Sequence, residues 1–388
     1  MMTRSSRGAA VLAAVLGGSL LAAASWEFVR RRRRRRDARL RRLCQLLPKA
    51  ELHAHLHGCA HLSTIAELAP PGVDTRSLLP GAPGSEDRSL DACFAVFGAI
   101  HKTVTTLSAI RRIAREGISA FAADNVKYLE LRTTPRDLLD ADVEGYVRCV
   151  LAILVEHSTT CTPDPWPMSV RLLLSIDRTG SLDKALATVR LAIKLMRDVD
   201  SGGAAHIAGI DFSGNPTRNS FADFVPAFDE ARAAGLRISV HTAEVDNPSD
   251  TASILRFRPD RLGHALLLSR SDLAQLQSAP IPIELCPTSN LKTLRLRRLS
   301  EHPTLRRLLS AGYPVSISTD DSTVFSTSPS EELFRAASLC DLDDAQVVRL
   351  AAAAWAHCFE SDEAIRARWR LKFEEAAFEA LAESRKIE

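Results

Sequence analysis

The stretch ELHAHLHG, residues 51–58, has the pattern of a short strand that ends in three histidines. Alternate side chains of a strand point to the same face, so His53 and His55 are expected to lie together. Two imidazoles so placed can bind one metal ion. A single HxH pattern is weak evidence, because it is more often a surface feature, and the rest of the chain must decide.

Short apolar runs, often β-branched, alternate along the chain with longer segments of helical periodicity, such as residues 181–198 and 221–235. Eight strands alternating with helices over about 340 residues predict an α/β fold, a closed (β/α)8 TIM barrel, rather than two doubly wound domains. The predicted strands are residues 51–56, 126–132, 170–176, 207–212, 237–241, 261–264, 281–285 and 314–318.

Further histidines and acids follow the later strands. His241 and Glu244 follow the fifth, His264 the sixth, and Asp320 and Asp321 the eighth. The carboxyl ends of barrel strands meet at one face, where such barrels build their active sites. The sequence therefore predicts that these side chains converge with the histidines of the first strand.

Three imidazoles and one carboxylate suit a divalent zinc ion that keeps one position open for water. We therefore predict one Zn²⁺ per chain, with His53, His55, His241 and Asp320 as ligands. Zinc lowers the pKa of a bound water to about 7, which provides a nucleophile at neutral pH.

Three more residues are predicted to handle protons in this site. Glu244 is the candidate for giving a proton to the substrate. His264 is expected beside the water, either taking its proton or holding it in line and stabilising the oxyanion. Asp321 is expected to accept a hydrogen bond from the same water.

A Pro- and Gly-rich insertion at residues 70–88 follows the first strand and its helix. Connections of this kind lie at the catalytic mouth of a barrel, so extra helices after the first strand can cap the pocket. On the following segment, Leu90, Phe94, Phe97 and Ile100 form an apolar stripe, which either covers the pocket or belongs to the core.

Composition excludes several classes of protein. With 46% hydrophobic and 25% charged residues, the chain is not disordered, collagen-like or a polytopic membrane protein as a whole. The eight cysteines contain no CxxC pair, which predicts neither a disulfide framework nor a cysteine zinc site and favours a reducing compartment. Residues 51–388 carry 37 basic and 45 acidic side chains, so no nucleic-acid partner is expected.

The first fifty residues carry thirteen Lys or Arg and two acids. Residues 9–29 are apolar or small at nearly every position and precede an arginine run at 30–36, which predicts a single hydrophobic helix that anchors the chain in a membrane. The run would keep the catalytic domain cytosolic. A mitochondrial presequence and a cleaved signal peptide are the alternatives.

The domain prediction is an anchor and Arg-rich segment at residues 1–43 and a metal-dependent barrel domain at 44–388, the latter expected to be monomeric. Seven ordered motifs run along the second region: ELHAHLHG at 51, YLELRTTPR at 128, GIDFSGNPT at 209, VHTAEV at 240, RLGHA at 261, ELCPTSN at 284 and STDDSTVF at 318. In these motifs the chain resembles the adenosine deaminase family of purine deaminases, which makes the predicted barrel a deaminase domain.

The resemblance implies the zinc ligands named above, with Glu244, His264 and Asp321 as catalytic partners. It also implies that Gly214 offers its backbone N–H to the purine ring. Glu244 would protonate purine N1 during hydrolytic attack on C6, which expels an amine.

The motifs HAHLHG, LELRTTPR and GNPT are most similar to the branch that converts N6-methyl-AMP to IMP and methylamine. Nucleoside-specific members carry an aspartate where this chain has His57. That carboxylate would repel a phosphate, whereas an imidazole can donate a hydrogen bond to it, so His57 favours a nucleotide. The branch commonly has asparagine here. Thr134, Arg136 and Thr217 are further candidate phosphate partners, and Phe94 and Phe97 are candidate substrate contacts.

Two alternatives stay open at this point. One is deamination of adenosine or 2′-deoxyadenosine to the inosine nucleoside and ammonia. The other is a membrane-tethered purine-binding protein that has lost turnover, although no ligand or acid is missing from its sequence.

Overall fold

The computed structural model of the chain describes residues 26–27, 29–73, 75, 89–159, 165–198, 200 and 202–387. Eight β-strands lie at or near the predicted positions. They are β1 (Lys49–His55), β2 (Val126–Thr133), β3 (Ser169–Asp177), β4 (Ile207–Ser213), β5 (Arg237–Thr242), β6 (Arg261–His264), β7 (Ile283–Leu285) and β8 (Val315–Ile317).

The strands form one sheet in which spatial order follows chain order and every neighbouring pair is parallel. The sheet curls back on itself, because Ala54 in β1 forms a parallel bridge with Asp320 after β8. There, Asp320 N–H donates to the carbonyl of His53 at 2.8 Å, and His55 N–H donates to the carbonyl of Asp320 at 3.1 Å. The result is a nearly closed barrel, consistent with the predicted (β/α)8 fold.

Helices connect the strands and pack against them. They are α1 (29–46), α2 (Leu62–Leu68), α3 (Leu90–Thr103), α4 (Leu107–Ala123), α5 (Val143–Thr159), α6 (Leu182–Arg197), α7 (Gly203–His206), α8 (Val225–Ala233), α9 (Pro248–Phe257), α10 (Arg270–Ser278), α11 (Pro287–Thr293), α12 (Leu305–Ser310), α13 (Ser322–Phe325), α14 (Pro329–Leu339), α15 (Asp344–Trp355) and α16 (Glu363–Ser384).

Helix α6 confirms the prediction for residues 181–198. The Ser181 side chain accepts a hydrogen bond from the N–H of Lys184 and caps the helix start. The predicted helix at 221–235 is instead a 3₁₀ turn, Phe221–Phe224, followed by α8. The break falls where Pro226, which has no N–H to donate, stands in the first turn of α8.

Strand β7 is shorter than the predicted 281–285. Pro282 has no N–H for a strand ladder. The N–H of Ile281 donates to the Tyr313 hydroxyl at 3.1 Å instead of to a neighbouring strand. The ladder therefore begins at Ile283.

Among the residues that the structure describes between β1 and β2 are the helices α2 to α4, as the prediction of extra helices after the first strand requires. Helix α3 contacts both the 3₁₀ turn His57–Cys59, directly after β1, and helix α11. Most of the predicted insertion, residues 74 and 76–88, lies outside the described residues.

Helix α1 packs against the barrel. Leu40, Leu43 and Leu47 are buried, and the Lys49 ammonium donates to the carbonyls of Cys44 at 3.0 Å and Leu47 at 2.9 Å, near the helix end. The predicted boundary between residues 43 and 44 therefore falls within α1. Of the predicted anchor, residues 9–29, only 26, 27 and 29 are described, and none of the helices that the structure describes is long and apolar enough to cross a membrane.

Candidate active site

Five predicted site side chains converge at the carboxyl ends of four strands. The Nε2 atom of His55 lies 3.3 Å from Nε2 of His241 and 3.4 Å from Oδ1 of Asp320. Nε2 of His53 lies 3.5 Å from the same Asp320 oxygen, and Nε2 of His264 lies 4.0 Å from Oδ2. We call these five residues the metal cluster, and its assembly confirms the predicted convergence.

The backbone at two cluster positions adopts a left-handed conformation. His264 has φ 60° and Asp320 has φ 64°. Such a conformation costs a non-glycine residue about 1–3 kcal/mol and persists only where the surroundings fix it. At Asp320 the fixing contact is the backbone bridge to β1, which couples closure of the barrel to the direction of this carboxylate.

Two buried carboxylates lie behind the imidazoles. Glu284 Oε2 lies 2.5 Å from His53 Nδ1, and Asp211 Oδ1 lies 3.2 Å from His241 Nδ1. The Arg132 guanidinium joins the two acids, at 2.8 Å to Asp211 and 3.0 Å to Glu284. The side chains of Arg132, Asp211 and Glu284 are fully buried, so their charges are balanced inside the barrel.

This arrangement sets the charge states of the acids. Burial alone would raise the pKa of Glu284, but Arg132 and Arg261 hold it well below the usual value. Burial likewise opposes ionisation of Asp320, while the neighbouring imidazoles of His53 and His264 keep its pKa well below the usual value. Both residues are therefore anionic acceptors at neutral pH.

The donor set fits a zinc ion. His53, His241, His264 and Asp320 each offer a ligand atom, and these atoms all lie within 4.8 Å of one another. Among the described residues, the buried Nε2 of His53 has no hydrogen-bond partner. The predicted ligand His55 is not in that tightest group of four, but its Nε2 lies within 3.4 Å of His241 and Asp320. The predicted set of His53, His55, His241 and Asp320 supplies the three nitrogens and one oxygen that suit Zn²⁺.

Asp321 and Glu244 border the metal cluster, as predicted. Oδ1 of Asp321 is buried and has no hydrogen-bond partner within the described chain, and burial together with Asp320 raises the Asp321 pKa well above its usual value. Glu244 Oε1 lies 3.7 Å from His264 Nε2, and burial raises its pKa. A carboxyl group with a raised pKa suits a proton donor. Gly58 leaves the space for Asp321, because a Cβ at residue 58 would lie 1.7 Å from Oδ1.

A cavity of about 460 Å³ opens above the metal cluster, a size that suits a nucleotide-sized molecule. Helix α3 covers one side of it. Of the predicted stripe, Leu90, Phe94 and Phe97 line the cavity, but Ile100 is fully buried in the core. The helical register instead brings His101, four residues after Phe97, to the cavity.

His57 lies at the wall of the cavity beside Arg136 and His101. Nη2 of Arg136 donates to Nε2 of His57 at 2.5 Å, and the rings of His57 and His101 meet edge to face with centroids 5.0 Å apart. Burial, and then the charges of Arg136 and His101, lower the pKa of His57 well below its usual value. The imidazole of His57 is therefore neutral and carries its proton on Nδ1. We call His57, His101 and Arg136 the His57 cluster.

Of the remaining predicted substrate contacts, two line the cavity and two do not. Gly214, with φ 98°, lines the cavity, and a Cβ there would lie 2.4 Å from Asp177 Oδ1, so only glycine fits. Thr134 also lines the cavity. Thr217 is exposed and does not line it, because its hydroxyl and N–H both donate to Oδ1 of Asn215. Arg136 reaches the site through His57 and is not itself a lining residue.

Sequence reasoning missed several residues that contact the site. Ser289 Oγ donates to Asp320 Oδ2 at 2.7 Å, and Asn290 Nδ2 lies 3.0 Å from His264 Nδ1. Both belong to the motif ELCPTSN, which also contains Glu284. A carboxylate such as Glu284 inside an apolar strand is a signal that could have been noticed, because a buried charge needs a partner.

Comparison with known proteins gives a consistent result. A family model described as adenosine deaminase matches residues 48–368, which contain every motif quoted above. The N6-mAMP deaminase of Arabidopsis thaliana is 36% identical over 357 residues, which cover 86% of this chain and 98% of that protein. The adenosine deaminase-like protein of Drosophila melanogaster is 36% identical over 324 residues, covering 82% and 93%.

Solved structures of proteins with similar names also resemble this chain. Arabidopsis N6-mAMP deaminase has a TM-score of 0.77 at 35% identity and covers 86% of this chain and 99% of its own. Arabidopsis ADAL complexed with IMP has a TM-score of 0.77 at 35% identity, with 87% and 99% covered.

Proposed function

The chain belongs to the adenosine deaminase family and is an aminohydrolase that acts on purines, and we propose that it converts N6-methyl-AMP into IMP and methylamine. One observation carries the choice of substrate: the same cavity meets the metal cluster and also His57 and His101, with Arg136 behind His57. The relatives named N6-mAMP deaminase and the relative solved with IMP support the same choice.

In this proposal the metal is zinc, held by His53, His55, His241 and Asp320. A bound zinc ion supplies Lewis acidity, which lowers the pKa of water to about 7. Glu284 holds the ring of His53 by the 2.5 Å contact, and Asp211 lies against the ring of His241, so each imidazole keeps its Nε2 turned to the cluster.

Glu244 is the proton donor to purine N1. Burial raises its pKa, which favours the protonated form that a donor needs, and its position beside His264 places it at the cavity. The backbone N–H of Gly214 holds the opposite edge of the purine, and Phe94 and Phe97 on α3 exclude water from the apolar faces of the ring. Asp321 accepts a hydrogen bond from the attacking water.

The His57 cluster binds the 5′-phosphate. His57 offers its Nδ1–H, because its Nε2 already accepts from Arg136, and Arg136 adds a positive charge whose partners within the described chain are His57 and the Val104 carbonyl. Thr134 adds a hydroxyl at the cavity wall. A dianionic phosphate supplies the acceptor oxygens that this set lacks, whereas a nucleoside hydroxyl would leave the charge unbalanced.

A substrate panel tests the proposal. Zinc-loaded protein is assayed with AMP, adenosine and the N6-methyl form of each, and the product is identified by mass. We expect the highest kcat/KM for N6-methyl-AMP. A preference for adenosine or 2′-deoxyadenosine would replace the nucleotide assignment by nucleoside deamination.

The same panel separates an enzyme from a purine-binding protein that lacks turnover. Wild-type protein should release methylamine, and Glu244→Gln should abolish that release while still binding IMP. Zinc-loaded wild-type protein that binds IMP but turns over none of the four substrates would establish the binding protein.

Residues 9–29 support a membrane anchor with the barrel on the cytosolic side, and a mitochondrial presequence is the alternative. Fractionation of cells that express the full chain with a C-terminal tag tests both. Recovery with membranes, with the tag accessible to protease without detergent, supports the anchor, whereas a shortened chain in mitochondria supports the presequence.

A further inference from the structure

The segment Glu284–Asn290, ELCPTSN, runs from β7 into helix α11 and contacts three different site residues. Glu284 and Ser289 contact His53 and Asp320. Asn290 contacts His264, the residue whose role the sequence leaves open between a base and a hydrogen-bond donor. The direction of the Asn290 amide decides between these two roles.

The amide of Asn290 has one possible orientation. The N–H of Cys286 lies 3.3 Å from Asn290 Oδ1, and a backbone N–H can only donate. The atom that receives it must therefore be the amide oxygen. This leaves the amide nitrogen Nδ2 facing Nδ1 of His264 at 3.0 Å, as the donor of that hydrogen bond.

His302 fixes the same orientation from a second side. Its Nδ1 accepts the N–H groups of Leu305 at 3.1 Å and Thr304 at 3.3 Å, where helix α12 begins. Its single ring proton therefore lies on Nε2, which is 3.1 Å from Asn290 Oδ1 and donates to it. Burial lowers the pKa of His302 to about 4, so the ring is neutral at physiological pH.

These contacts determine the proton on His264. Because Nδ1 of His264 receives an N–H from Asn290, that nitrogen carries a lone pair and no proton. The one ring proton must lie on Nε2, which faces the site, 3.7 Å from Glu244 Oε1 and 4.0 Å from Asp320 Oδ2. A protonated Nε2 can donate a hydrogen bond there but cannot accept a proton.

We propose that the chain of hydrogen bonds from the start of α12 through His302 and Asn290 holds His264 as its Nε2–H tautomer. His264 then donates a hydrogen bond to the oxygen that adds to purine C6 and stabilises the charge that develops on it. His302 and Asn290 are positioning residues, and His264 is not the acceptor of the water proton. The consequence for rate rests on the proposed function, whereas the tautomer itself does not.

The decisive variant is Asn290→Asp. Its carboxylate still accepts from Cys286 N–H and from His302, but the oxygen that replaces Nδ2 requires a proton on His264 Nδ1. We expect ¹⁵N NMR of histidine-labelled, zinc-loaded protein to show a bare Nδ1 for His264 in the wild type and a protonated Nδ1 in the variant. The signal lost in His264→Asn assigns the ring.

The kinetic part of the test uses the same proteins. Removal of one preorganised donor to an oxyanion costs about 10²–10³-fold in kcat. We expect that loss in Asn290→Asp with KM within about threefold of the wild type. Asn247→Asp, a loop variant with the same charge change that keeps its helix cap, should retain wild-type kcat.

His302→Gln and His302→Phe provide the graded control. Gln keeps an N–H that can donate to Asn290, whereas Phe removes it and leaves Cys286 alone to orient the amide. We expect His264 Nδ1 to stay bare in the Gln variant and to become partly protonated in the Phe variant. A protonated Nδ1 in the wild type, or a bare Nδ1 in Asn290→Asp, overturns the proposal whatever the substrate panel shows.

Discussion

The two clusters of the cavity are built in different ways. The metal cluster stands on strand ends, and its imidazoles are backed by Glu284 and Asp211, which are fully buried and joined by Arg132. The His57 cluster comes from the turn after β1, from α3 and from the loop after β2, and within the described chain Arg136 contacts no carboxylate. In the proposed function, metal binding is thus determined by the barrel, whereas substrate choice depends on an inserted segment and on Arg136, which no described carboxylate contacts.

The first prediction, with the largest expected effect, is that metal removal affects turnover far more than it affects ligand binding. Chelation should lower kcat by on the order of 10⁴-fold or more, because the Lewis acidity that lowers the pKa of the water is lost. Binding of IMP, which in the proposed function depends on the His57 cluster, should change by less than about threefold. Activity and metal content are measured on the same samples.

Return of activity on addition of Zn²⁺ is the control for irreversible damage. Undiminished turnover in protein shown to be free of metal would contradict the assignment of the metal cluster.

A second prediction addresses the buried carboxylates of the metal cluster. Asp211→Asn should lower zinc affinity by about 10–100-fold, because the His241 ring loses its anionic partner. Competition with a chromogenic chelator measures this affinity. The exposed Asp229→Asn has the same charge change without the contact and should bind zinc as the wild type does. Equal affinities in all three proteins would show that Asp211 serves only the packing around Arg132.

The difference between the clusters also explains which residues of the site could be predicted from the sequence. The barrel and the converging residues follow from periodicity and from polar groups at strand ends such as His241 and Asp320, because strand geometry places them without further information. Partners such as Asp211 and Ser289 depend on which strands and helices meet across the barrel, which a single sequence does not encode locally.

The sequence leaves the apolar stripe of α3 open between pocket and core, and the register of the helix divides it, because Ile100 lies in the core whereas His101 reaches the cavity. For Thr217, a candidate phosphate partner, Asn215 engages both the hydroxyl and the N–H in a local turn. Side chains on connections depend on loop geometry, which periodicity does not determine.

A third prediction isolates the His57 cluster. Arg136→Gln should lower kcat/KM for the nucleotide by about 10–100-fold, the value of one hydrogen bond to a charged group. Turnover of the nucleoside should stay within about threefold, and zinc content should not change. Exposed Arg111→Gln controls for the lost surface charge. An equal loss for nucleotide and nucleoside would show that Arg136 supports the fold of the wall and not the phosphate.

The smallest expected effect is a dependence of stability on pH that comes from His302, on the metal side of the cavity. Its folded-state pKa of about 4 lies below the unfolded value of about 6.5, so the unfolded chain binds more protons between these values. The free energy of unfolding should therefore fall as pH falls through this window.

In His302→Phe this contribution is absent, so the stability advantage of the wild type over the variant should shrink by about 1 kcal/mol from pH 6.5 to 5.5. Urea unfolding of both proteins at matched zinc concentration measures the difference. An advantage that stays constant or grows toward acid pH would mean that His302 is already protonated in the fold, which is incompatible with its Nδ1 accepting the N–H groups at the start of α12.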